Sequence, residues 1–188
     1  MKILVACEFS GIVRNAFARR GHDAWSCDLL PSEIEGNHLQ TDVRSILADR
    51  WDLMIAFPPC TYLCSSGARW WTSKQLQQKS ALKFVRELMN APIPKIAIEN
   101  PVGVISTKIR KSDQIIQPWQ FGHPETKATC LWLKNLPLLK PTNIVNGRHP
   151  RVHYEPPSSD RWKNRSRTYL GIAEAMAEQW GDLDGAEE

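Results

Sequence analysis

The sequence lacks any run of about 18 consecutive apolar residues, so no segment is long enough to cross a bilayer as a helix. It also lacks a disulfide framework. Its five cysteines are an odd number without paired spacing, which points to free thiols in a reducing, cytoplasmic setting. Leu4-Val5-Ala6-Cys7 imitates a lipoprotein cleavage box, but too few residues precede it for an apolar leader, and it reads as a strand. Internal repeats and low-complexity tracts are absent. So is a strong charge of one sign: 24 Lys and Arg against 20 Asp and Glu give +4, compatible with a polyanionic partner but shared by many proteins that bind none. A hydrophobic fraction of 42% excludes a wholly disordered chain, and 188 residues suffice for one domain, 1–188, but not for two of ordinary size.

What is there alternates between strand and helix. Lys2 to Phe9 is a short apolar run that ends at Ser10-Gly11, where helical spacing begins at Ile12, Val13, Ala16 and Phe17. Arg19-Arg20-Gly21-His22 closes that helix, and Asp23 to Asp28 forms a second strand, completing a βαβ unit. Asp42-Val43 sits at a third turn. Asp52 to Ala56 is a buried-type strand running into Phe57-Pro58-Pro59-Cys60, whose prolines stop the strand and stiffen the turn. Leu76, Leu82, Val85, Leu88 and Met89 predict a crossover helix between Ser73 and Asn90, with Ser73 as cap. A strand follows at Lys95 to Ile98 and ends at Glu99-Asn100-Pro101. From Asn143 to Arg167 six basic residues meet only Glu155 and Asp160 in a stretch read as a basic loop. A helix near Gly171 to Trp180 and an acidic tail complete the chain.

Polar or reactive residues therefore stand at several strand ends, the edge of an open α/β sheet where ligands bind. The first βα turn offers backbone N–H groups and a helix N-terminus, and Asp28 is placed to accept from ribose hydroxyls, which suits a nucleoside cofactor. The alternative is a tight turn and nothing more. Cys60, after Pro-Pro, is a candidate nucleophile, with a pKa lowered if a helix begins nearby; the alternative is an inert buried thiol. Glu99 is a candidate acid or base, or else a member of an ion pair. Cys60 and Cys64 with His149 and His153 have metal-ligand spacing, but Pro150 breaks the helix such a His pair needs, and no metal is expected.

Phe9-Ser10-Gly11, Asp28, Asp42, Phe57-Pro58-Pro59-Cys60, Ile98-Glu99-Asn100 and Phe121-Gly122-His123-Pro124-Glu125-Thr126-Lys127 resemble, in order, the successive motifs of the DNA cytosine C5-methyltransferases. The chain looks most like short, phage-type versions of that family, acting in a bacterial or phage-infected cell. The resemblance implies a Rossmann-like α/β sheet flanked by helices that binds S-adenosylmethionine. It implies that Phe9, Ser10 and Gly11 contact that cofactor, Asp28 and Leu29 its ribose and adenine, Asp42 and Val43 its adenine, and Pro59 its methionine end. It further implies that Cys60 adds to C6 of cytosine, that Glu99 hydrogen-bonds N3 and the exocyclic amine, and that Lys127 carries positive charge beside the target. The family extrudes its target base from duplex DNA.

Some positions depart from the family pattern. Val13 replaces a glycine, Thr61 a glutamine, Cys64 a serine, Glu125 a glutamine, and Lys127 and Thr129 two arginines. No target-recognition domain fits between Lys134 and Arg167. The expected partner is DNA, held through phosphates by the basic loop with Lys108, Arg110 and Lys111, and sequence choice would fall to little else, to a homodimer or to a separate specificity partner. Trp70 and Trp71 are candidates to stack on an extruded base, or core residues. A free cytosine nucleotide as substrate, or an inactive fold that binds DNA or another protein, are the alternatives.

Overall fold

The structure, a computed structural model, describes residues 1–183 except for the side chain of Trp70; the acidic tail expected at the C-terminus falls largely on residues 184–188, outside the described residues. Thirteen stretches of strand and α-helix follow one another: β1 Lys2–Ala6, α1 Ile12–Arg19, β2 Asp23–Asp28, β3 His38–Gln40, β4 Leu53–Ala56, α2 Gln75–Met89, β5 Lys95–Pro101, α3 Ile105–Lys108, β6 Gln114–Ile116, β7 Thr129–Lys134, α4 Arg151–Tyr154, α5 Arg161–Ser166 and α6 Leu170–Gly181. They build one seven-stranded sheet in the order β3-β2-β1-β4-β5-β7-β6. Strands β1 to β5 pair in parallel, and β7 runs antiparallel to both β5 and β6. This is the Rossmann-like α/β sheet flanked by helices.

The strand residues alternate between two covered faces, which is why the runs read as continuously apolar. Ile3, Val5, Leu53 and Ile55 pack with Phe17 of α1 and Met176 and Trp180 of α6. Leu4, Ala6, Met54 and Ala56 pack with Leu82, Val85 and Leu88 of α2. Each large side chain so buried contributes about 1.5–3 kcal/mol relative to leaving it in water.

The chain winds outward from β1 through β2 to β3, then crosses back to lay β4 on the other side of β1. The carboxyl ends of β1 and β4 therefore diverge over a crevice, the place where an open parallel sheet binds ligands. Cys7, at φ +58°, turns the chain out of β1 there. The first strand thus ends at Ala6 rather than Phe9. Gly11, at φ +70°, precedes α1.

Four expectations change. Lys74 rather than Ser73 precedes α2, and it makes no side-chain cap. Glu99 and Asn100 lie within β5, held by its pairing with β7. The stretch 143–167 is not one basic loop but contains α4 and α5. Its charges also meet acids from elsewhere: Arg151 pairs with Glu125 at 2.9 Å and Arg167 with Glu33 at 2.7 Å. Arg148 lies over the Trp119 ring, 3.9 Å from its centroid.

Candidate active site

A narrow cavity of about 100 Å³ opens in the β1/β4 crevice. Its walls bring together Phe9 and Ser10 from the first turn, Pro59 and Cys60 from the second, Glu99 and Asn100 from β5, Lys127, and Arg165 to Thr168. Seven of these side chains come from positions singled out in the sequence or next to one. Gly11, Asp28, Leu29, Asp42 and Val43 do not line the cavity.

Asp28 ends β2 and accepts from Leu30 N at 2.9 Å, and its partial burial pushes its carboxyl up. Leu29 is 71% exposed. Asp42 is committed locally. Its carboxylate takes Arg44 in a bidentate pair, Nε donating to Oδ1 at 3.0 Å and Nη2 to Oδ2 at 2.6 Å, and accepts from Arg44 N. Val43 is buried.

The helix N-terminus expected to cradle a ligand is already filled. The Glu8 carboxylate accepts from Val13 N at 2.7 Å and Arg14 N at 3.2 Å, satisfying donors that a helix leaves open. Its burial pushes the Glu8 carboxyl up against those bonds. Arg14, also buried, donates to Ser26 and Ser32 at 3.0 Å and to the carbonyls of Ile34 and Glu35 at 2.8 and 2.9 Å. It thereby fixes the segment after Asp28. A Cβ on Gly11 would stand 2.6 Å from this guanidinium, which explains the glycine as much as its backbone angle does. Arg14 was not singled out from the sequence, and Glu8 only as part of the polar end of the first strand, not as a cap. The available signal was an arginine set among the apolar positions of α1, where a charge is seldom buried without partners.

Cys60 sits where the Pro-Pro turn closes a single helical turn, with Leu63 N and Cys64 N donating to Cys60 O at 2.9 and 3.0 Å. Asn100, buried in β5, donates to Pro58 O at 2.7 Å and ties the turn to the sheet. Gln78 of α2 donates to Tyr62 O at 3.1 Å. The Cys60 pKa is raised rather than lowered: a hydrogen bond to Cys64, burial and the Glu99 charge all push it up, with Lys127 opposing. Cys64 is pushed down as the acceptor of that bond, and Ser66 lies 2.6 Å from its sulfur. Burial likewise raises the Glu99 carboxyl, against the Lys127 charge and a bond from Thr129. Cys60 and Glu99, each pushed toward its protonated form, thus face one cavity together with the Lys127 cation.

The C-terminal segment forms the outer wall. The Trp162 ring meets Phe9 at 5.7 Å between centroids. Two polar atoms of the wall are buried without a partner, Arg165 Nε as donor and Asn100 Oδ1 as acceptor. Trp71 is half-buried against the core, and the side chain of Trp70 lies outside the described residues. No three His, Cys, Asp or Glu residues gather into a metal site among the described residues.

No protein-family model matches the sequence, and no curated protein does. Among solved structures, the chain is similar to a protein described as a DNA modification methyltransferase encoded within an E. coli prophage. The two share 15% identity at a TM-score of 0.50, over 82% of this chain and 55% of that one. A triple mutant of DNMT2 from Spodoptera frugiperda matches at 16% identity and a TM-score of 0.44, over 77% of this chain and 54% of that one. The first likeness bears on the fold, and the chain spans about half the length of these structures.

Proposed function

We propose that the protein is an S-adenosylmethionine-dependent methyltransferase that modifies C5 of cytosine in DNA through a covalent adduct on Cys60. The observation that carries this reading is the meeting of Cys60, Glu99 and Lys127, from three separate elements, in the one cavity at the switch point of the sheet.

The wall fits the amino-acid end of the cofactor: an unpaired donor at Arg165 and an unpaired acceptor at Asn100 are the complements of a carboxylate and an ammonium. Phe9, Ser10 and Pro59 would line that end, with Asp28 and Leu29 toward the ribose and adenine. When bound, S-adenosylmethionine supplies an electrophilic methyl group. A cavity of about 100 Å³ is below the roughly 300–1,000 Å³ usual for such ligands, so the wall formed by residues 161–168 has to move outward to admit it.

The residues supply the rest of the chemistry. C5 of cytosine is a poor nucleophile until the ring loses its aromaticity. Cys60 releases its proton toward Cys64, its hydrogen-bond partner, and the Cys60 sulfur adds to C6. Glu99, whose protonated form burial favours, gives its proton to N3 so that the added electron pair does not remain as bare charge on the ring. Lys127 favours the ionised sulfur at that moment by its charge. With C5 then bearing the methyl group, a water molecule would take the C5 proton as the C5–C6 double bond re-forms and the bond from C6 to the Cys60 sulfur breaks; Cys60 recovers its proton from Cys64, and N3 returns its proton to Glu99.

Label transfer tests the proposal. The protein is incubated with radiolabelled S-adenosylmethionine and duplex DNA, and the DNA is digested to nucleosides. Label in 5-methyldeoxycytidine is the expected result. Label in another nucleoside, or only in a parallel sample containing free deoxycytidine monophosphate, would overturn the C5-in-DNA reading.

A further inference from the structure

The stretch 143–167 does not offer the array of free cations its composition promises, but a second cavity does. It has a volume of about 540 Å³ and lies between the chain that follows the Cys60 turn, the face of α2 and the end of α3. Trp71, Gln75, Lys79, Leu82, Arg86 and Lys108 line it. Lys79, Leu82 and Arg86 recur at the spacing of one helix face. Arg86 donates to Lys108 O at 2.9 Å, which joins α2 to α3 and leaves its charge without a carboxylate. Among the described residues Lys79, Arg86 and Lys108 form no ion pair, and the neighbouring acid on α2, Glu87, is engaged by Lys83 at 3.7 Å. The Trp71 indole N–H is buried without an acceptor.

We propose that this groove binds the sugar-phosphate backbone of duplex DNA, a deeper form of the reading given above and dependent on it. Three uncompensated cations and one unanswered donor call for an anion rich in acceptors. Lys79 and Arg86 are seven residues apart, about 10 Å along the helix axis, which matches about three nucleotide rises of 3.4 Å in one strand. An extended backbone meets both, whereas a single small anion meets one. The groove is also linked to the nucleophile through the chain: Trp71 belongs to the segment that follows Cys60, and Gln78 of the same α2 holds the Cys60 turn through Tyr62 O. A backbone seated here supplies the hold on DNA that a recognition domain would otherwise give, and it carries no base-specific contact.

The test is binding of a fluorescently labelled DNA duplex, followed by anisotropy over a salt series. Lys79→Gln/Lys108→Gln removes two exposed charges, and Arg19→Gln/Lys140→Gln removes two charges elsewhere as a control. The groove variant is expected to lower the slope of log K against log salt by up to about 1.8, at about 0.9 per duplex phosphate contact, and to weaken binding at 0.1 M salt by about one to two orders of magnitude. The control should keep the native slope. Trp71→Phe, which keeps a ring but removes the N–H, should weaken binding several-fold. An unchanged slope in the groove variant, or an equal fall in the control, overturns the proposal, as does competition by deoxycytidine monophosphate or duplex RNA as effective as by DNA. If the double variant folds poorly, Lys79→Gln alone carries the same expectation at about half the size. Label transfer to DNA is read separately. Its failure beside a groove-dependent slope overturns the active-site reading alone, and its success beside an unchanged slope overturns the groove alone.

Discussion

The proposed mechanism asks Glu99 to do two things that conflict, and the conflict can be measured. Burial holds its carboxyl above the ordinary value, so the protonated form persists to higher pH than in a free side chain. That is useful for giving a proton to N3 and costly once the group ionises in place. A carboxyl raised on folding contributes stability that is fully present below its unfolded value and lost as pH rises through its folded value. Glu99→Gln should therefore abolish most methyl transfer yet raise the melting temperature at neutral and alkaline pH, by about 2–4 °C per kcal/mol relieved, with the gain vanishing in acid. Melting curves from pH 4 to 9 check the sign, and a variant less stable than the native protein at neutral pH would contradict it. Asp28→Ala should behave differently. Its carboxylate stands outside the cavity that holds Cys60, so its loss should raise the cofactor concentration needed for half-maximal rate by about tenfold, on the order of one good hydrogen bond to a charged group, and leave turnover at saturation nearly intact. Rates measured across cofactor concentrations decide this, and an equal loss at saturation would remove Asp28 from the ribose site.

At the scale of elements, α5 and the start of α6 decide how open the site is. Arg167 ties this segment to Glu33, while Trp162 leans on Phe9. Arg167→Ala should speed cofactor association by a few-fold at little cost in stability, since a pair about one-third exposed contributes about 1 kcal/mol or less. Stopped-flow binding tests it, and slower association would mean that Arg167 shapes the site rather than closing it. On the neighbouring side, burial pushes the Glu125 carboxyl up, but hydrogen bonds from Tyr169 at 2.5 Å and Arg151 at 2.9 Å outweigh it and hold the carboxyl below its ordinary value. Its stabilisation is present above the unfolded value near 4.5 and lost as pH falls through the lowered folded value. Glu125→Gln should lower the melting temperature above about pH 5 and converge with the native protein in stronger acid. Parallel curves at all pH values would contradict this.

Elements with a strong local pattern were legible in the sequence. β2 matches its expected bounds, and β1, β4, β5, α1, α2 and α6 follow from apolar periodicity ended by Gly, Pro or a polar residue. β3 and β6, with three residues each, carry too little pattern to register. β7 exists because Thr129 to Lys134 pairs with both β5 and β6, and no local signal announces such non-local pairing. The same distinction runs through the site. Cys60 stood out because a Pro-Pro turn is a local feature, and Glu99 because it follows an apolar run, although pairing with β7 carries the strand past it to Pro101. The Glu8 cap, the Arg14 clamp and the Arg165 wall did not stand out, because each acts on partners brought near only by the fold.

For the whole molecule, the sheet order sets the crevice, and the crevice gathers the Cys60 thiol, the Glu99 carboxyl, whose protonated form burial favours, and the Lys127 cation, with Arg165 and Arg167 in its outer wall. A free-thiol nucleophile that leaves again after the C5 proton is lost makes a specific chemical commitment. If fluorine replaces hydrogen at C5, it cannot depart as a proton does, and the bond between Cys60 and C6 cannot be undone. The most direct test is therefore intact mass of the protein after incubation with S-adenosylmethionine and a duplex containing 5-fluorodeoxycytidine at many cytosine positions. The expected result is a covalent protein–DNA species that maps to Cys60, is absent in Cys60→Ser and persists in Cys64→Ser. No covalent species with the native protein, or one that survives in Cys60→Ser, would contradict the account.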